Sequence, residues 1–218
     1  MAGGVEEAAG AGMGLAPGRL VEELRREPEV AVNWLMVYMT YFRNFVFSVA
    51  RYLYQSVGLR AAVMQLGNMV EEAIQSSFHV QRRAAAARGL RLETLDDLFR
   101  LNRYCHEEAA ARLAPLGIEV FRVGRRGDSY YMEASDCSLM RAAEELPVVK
   151  VFPVALVSGL IKGLGYRSRW LSSPRELGHL CRSVREGHTA RPDYVVYLDE
   201  TVEPPACRII VEPLRCPP

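Results

Sequence analysis

Between residues 30 and 54 the chain carries an apolar run that something has to cover. It holds Trp34, Leu35, Met36, Val37, Tyr38, Met39, Phe42, Phe45, Val46, Phe47 and Val49. Lipid, the chain's own core and a partner are the three possible coverings. A spanning helix needs about 20 mostly apolar residues. Arg43, Asn44 and Arg51 interrupt this run, and an Arg near mid-span is expensive. The expectation is therefore no membrane span but a helix buried on several sides. Tyr41, Tyr52 and Tyr54 extend the run in too many directions for one intramolecular stripe. A second copy of the chain is the expected cover, giving a homodimer built on this helix and the next.

Punctuation residues cut the first half into helices. Residues 18–27 read as a short helix with Leu20, Val21 and Leu24 on one side. Pro28 suits the first turn of a second helix, which Gly58 ends as a C-cap. A third runs over 59–88, with Val63, Leu66, Val70, Ile74 and Phe78 near the 3.6-residue period. Thr94 caps a fourth over 93–113, and Asp96 and Asp97 suit its positive end. The glycine- and alanine-rich residues 1–17 read as a disordered tail, and residues 214–218 as an irregular tail.

The period then changes. Ile118, Val120, Phe121 and Val123, a turn at 124–128, and Tyr130, Tyr131 and Met132 predict a β-hairpin. A short helix over 136–146 with Asp136 as N-cap follows, then a strongly apolar helix over 151–163. Residues 166–171, 194–198 and 207–211 read as strands, and 175–185 as a helix capped near Ser173 with Pro174 at its first position. Helices and strands segregate along the chain, so the fold class is α+β, in one domain over 18–213.

Charge excludes one class of partner. Lys and Arg number 27 against 26 Asp and Glu, without the basic excess that sustained nucleic-acid binding needs. The five cysteines are odd in number and widely spaced, which argues against a disulfide framework, and no signal-peptide pattern opens the chain. The expected compartment is cytoplasmic.

The order of these elements, over about 41–197, resembles the TRAPP-subunit fold and its relatives, the vinyl-reductase-type (hydrocarbon-binding) ligand-binding domains. The stretch 129–147, SYYMEASDCSLMRAAEELP, is similar to the family's strand leading into a short acidic helix. The stretch 152–166, FPVALVSGLIKGLGY, is similar to its glycine-spaced helix, and 45–78 to its long helix pair. The resemblance implies a dimerising layer of long helices on a twisted antiparallel sheet. It also implies a non-catalytic module that binds a small apolar ligand or acyl chain, as sensor or assembly subunit, and it supplies no catalytic residue set. The expected pocket lies between the second and third helices and the 151–163 helix. Phe42, Phe45, Val49, Leu66, Val70, Phe152, Leu156 and Leu160 surround it, and Gly159 and Gly163 leave either a groove or a close helix contact.

Candidate chemistry outside that pocket is sparse. Cys181 and His188, with His179 and Glu176 in the sequence around them, are the residue types that hold zinc, and Cys137 is a further ligand if the fold brings it near. Some vinyl-reductase-type domains bind zinc at a corresponding place, where a family cysteine is replaced by Arg191-Pro-Asp and His188 is the nearest substitute. The alternative function is thus an enzyme acting on an apolar substrate with a Cys/His-bound metal, and a third reading is a pure dimeric scaffold. Cys105 and His106 are adjacent on a helix and diverge by about 100°, so they make no dyad. Glu71-Glu72 and Glu144-Glu145 read as solvated helix faces. The turn at 124–128 is followed by a strand, which excludes a helix-capped phosphate cradle.

Overall fold

Gly58 interrupts the longest helix where the sequence places a stop. The computed structural model describes residues 28–113 and 121–217. In it α1 (Pro28–Ser76) is broken at Gly58, whose φ of 74° and ψ of 170° are non-helical and suit a residue without a Cβ. The expected tail at 1–17, the helix over 18–27 and Ile118 and Val120 lie outside the described residues. Residues 1–48 and 49–218 form two units. In the first, residues 28–48 are helical.

In the second unit, Ser77 separates α1 from α2 (Phe78–Ala86), dividing the helix expected over 59–88. Its hydroxyl donates back to the carbonyls of Ala73 (2.8 Å) and Ile74 (3.2 Å), a bond that competes with the helical ladder. Helix α3 (Leu95–Leu113) starts with a reciprocal cap. Thr94 Oγ1 accepts from the Asp97 N–H at 3.2 Å, and Asp97 Oδ2 accepts from the Thr94 N–H at 3.0 Å. The Thr94 hydroxyl bond leads the effects that hold the Asp97 carboxyl below its usual range.

The sheet has the order β1 (Arg122–Arg126), β2 (Ser129–Ala134), β5 (Cys207–Pro213), β4 (Tyr194–Leu198), β3 (Ser168–Trp170). Gly127-Asp128 alone makes the hairpin turn, tighter than expected. Gly124 lies inside β1 opposite Tyr131, where a Cβ would run into the tyrosine ring. The sheet is mixed rather than antiparallel, because β3 and β4 run parallel. A parallel pair needs a crossover, and α6 (Leu177–Arg185) supplies it. Cys137 occupies the N-cap position of helix α4 (Ser138–Glu145) without a side-chain cap bond, and its N–H donates to Pro205 O at 2.7 Å. The expected cap, Asp136, pairs instead with Arg141.

Alternation decides which face of the sheet is core. Tyr130, Met132 and Ala134 on β2 and Cys207, Ile209 and Val211 on β5 are buried. Helix α5 (Val151–Gly163) is buried nearly all round, from Val151 to Ile161, and packs on β3 and β4. Each fully buried aliphatic side chain of this kind stabilises the fold by about 1.5–3 kcal/mol. On the other face, Val195 packs with Leu171, Leu180, Cys181 and Leu214, so α6 covers that end of β4. Residue Phe99 of α3 stacks on Tyr130 at 4.4 Å between ring centroids, and Asp96 accepts the Tyr130 hydroxyl at 2.5 Å.

Candidate functional site

Glycines decide the fate of the space beside α5. A Cβ on Gly159 would lie 2.6 Å from the Glu71 carbonyl oxygen and 2.9 Å from Ile74 Cβ. One on Gly163 would run into the Phe78 ring. Both glycines therefore admit α1 and α2 at close range, and the groove alternative is filled at these positions. Of the residues expected around a pocket in the second unit, Leu66 and Leu160 are buried, while Val49, Val70, Phe152 and Leu156 are half-buried. Phe42 and Phe45, in the first unit, are exposed by 57% and 65%.

Large apolar side chains are also exposed elsewhere on α1. Within residues 28–48, Val37 and Tyr41 are open to solvent as well, and the spacing 37, 41, 45 is that of one helix face. Within residues 49–76, Tyr52 is exposed by 68%, and Tyr54, Val57, Leu59, Met64 and Met69 are exposed too.

The sulfur expected to hold a metal is otherwise engaged. Cys181 forms a disulfide with Cys216, 35 residues on, which removes the thiolate that a zinc ligand must supply. One bridge is not the disulfide framework that the cysteine spacing argues against, but it leaves Cys181 without a thiolate for the expected metal role. His188 lies on the surface, 3.5 Å from Glu186, and His179 is exposed. Among the described residues no group of three or more His, Cys, Asp or Glu is placed to hold a metal. Cys105, Cys137 and Cys207 take no part in a disulfide. His106 faces away from dyad chemistry: its Nδ1 accepts the Phe121 N–H at 3.3 Å, and burial pushes its pKa down.

One polar cluster was not legible as such. Glu71, expected on a solvated face, is only 9% exposed. Its Oε1 accepts from Ser158 Oγ at 2.6 Å and its Oε2 from Lys162 Nζ at 2.6 Å. Ser158 and Ser168 hydroxyls lie 2.9 Å apart. A carboxylate only accepts, so the Ser158 proton points to Glu71 and Ser168 donates to Ser158. Helix α1, helix α5 and strand β3 are thereby tied through one ionic network. The available signal was Ser158 and Lys162, four apart on an otherwise apolar helix, a spacing that places both on one face.

No protein-family model and no curated protein matches the chain. Among the described residues, no helix is long and apolar enough to cross a membrane.

Proposed function

We propose that this chain is a non-catalytic binding module that works as an assembly subunit, its first partner being a second copy of itself. The observation that carries the reading is the exposed apolar surface of α1, in each of the two units taken separately. Exposed apolar faces on a folded chain mark interaction sites. Apolar helix faces favour isologous pairing, in which each copy offers the same surface. The resemblance to the TRAPP-subunit and vinyl-reductase-type domains supports the same reading, since it implies a dimerising layer of long helices.

A small apolar ligand or acyl chain, where the module takes one, belongs at this aromatic surface rather than beside Gly159 and Gly163. Phe42 and Phe45 are open to it, whereas the glycine positions are filled by neighbouring helices. The metalloenzyme alternative has less support, because Cys181 is engaged in the Cys181–Cys216 bridge.

Charge insertion tests the assembly. Phe45→Glu combined with Tyr52→Glu is expected to give a monomer in sedimentation with wild-type helicity, since both positions are exposed in the isolated chain. A double variant that stays as large as the wild type would contradict the proposal.

A further inference from the structure

A cleft of about 530 Å³ opens where the end of α5 meets β3 and the loop before β4. Lys162, Arg167 and Arg169 line it, and among the described residues that line it there is no carboxylate. The acids lie behind the cations instead. Lys162 is held by Glu71, and Arg167 by Asp193 at 3.0 Å. That Arg167 pair also holds the Asp193 carboxyl below its usual range. Arg169 has no carboxylate partner among the described residues, and it points outward on β3 between the buried Ser168 and Trp170.

Two of the three cations, Lys162 and Arg167, are held in place by carboxylates. Lys162 sits in the last turn of α5, where a cation is favoured by the helix dipole. Of its three ammonium protons one goes to Glu71, leaving two to offer to a ligand. Arg167 is clamped twice, its own N–H and its guanidinium both reaching Asp193. Tyr166 and Pro192 provide the cleft with a flat, less polar wall.

We infer that this cleft is a binding site for a small oxyanion carried on an apolar or aromatic body. Either a phosphoryl or a carboxylate group meets the same donors, with Arg169 and Lys162 as its charged contacts and Tyr166 against its body. The cleft takes Gln75 from α1 but none of the helix's exposed apolar side chains, so a chain that proves monomeric leaves it untouched.

Calorimetric titration of the full chain with phenyl phosphate, benzoate and phenol tests this. Saturable binding of at least one of the two anions, weakened by salt and absent for phenol, is expected. Arg169→Ala, a change at an exposed side chain, is expected to weaken it about tenfold while leaving the melting temperature unchanged. Tighter binding of phenyl phosphate marks a phosphoryl ligand, and tighter binding of benzoate a carboxylate; both support the site. No saturable binding of either anion, equal binding of phenol, or unchanged affinity in a folded Arg169→Ala protein would overturn it.

Discussion

Glu71 shows how much one charge depends on its neighbours. A carboxylate with 11% of its side chain exposed is stable there because Lys162 and Ser158 both donate to it. Lys162→Met strands that charge and is expected to lower stability by about 2–3 kcal/mol, below the fully buried case because Lys162 is itself 30% exposed. Adding Glu71→Leu should restore most of the loss, since an apolar pair leaves nothing unsatisfied. Urea midpoints of the single and double variants measure both. His106 gives a pH effect of known sign. Burial depresses its pKa below 6.5, and its Nδ1 is an acceptor in the fold. The unfolded chain then binds the proton first, so stability is complete above about 6.5 and falls as the pH drops through the depressed value. His106→Gln should flatten that part of the urea-midpoint profile; an unchanged slope would assign it to other groups. Neither residue's role was legible in sequence, because an acidic pair and a Cys-His pair on helices look like surface until a distant strand or loop arrives to bury them.

Elements were more legible than contacts. The stop at Gly58, the cap at Thr94 and the apolar α5 follow from local rules that need no tertiary knowledge. What local rules miss is pairing: β3 lies parallel to β4, and a three-residue strand says nothing about its direction. The same gap hid which alternative Gly159 and Gly163 serve. With α1 this close, Gly159→Leu is expected to cost about 1–3 kcal/mol or more by overpacking. A variant of wild-type stability would return the space to a groove. Cysteine spacing was equally silent about the bridge between α6 and the C-terminal segment. Leu214, buried beside Cys181, brings Cys216 within a Cα distance of 5.4 Å. Closing a loop with a separation of 35 residues restricts the unfolded chain, so replacing both cysteines by Ala should lower stability by about 3–4 kcal/mol under oxidising conditions. Peptide mapping without reductant should recover the linked pair.

For the molecule as a whole, the apolar surface of α1 is the feature with the most consequence. Its aromatic side chains are too many for one intramolecular stripe, as the sequence suggested, and Tyr41, Phe42, Phe45, Tyr52 and Tyr54 are exposed in the isolated chain, as the structure adds. A second copy covering them would bury on the order of 2,000 Å² or more in total, the scale of obligate dimers. The occupant itself is not written in periodicity, which records only that a face is apolar and not what meets it. Sedimentation equilibrium of the wild-type chain across the micromolar range decides the point most directly. A mass twice that of the 24.4 kDa chain, held down to low micromolar concentration, is the predicted result. A monomer throughout that range would contradict self-assembly as the role of this surface.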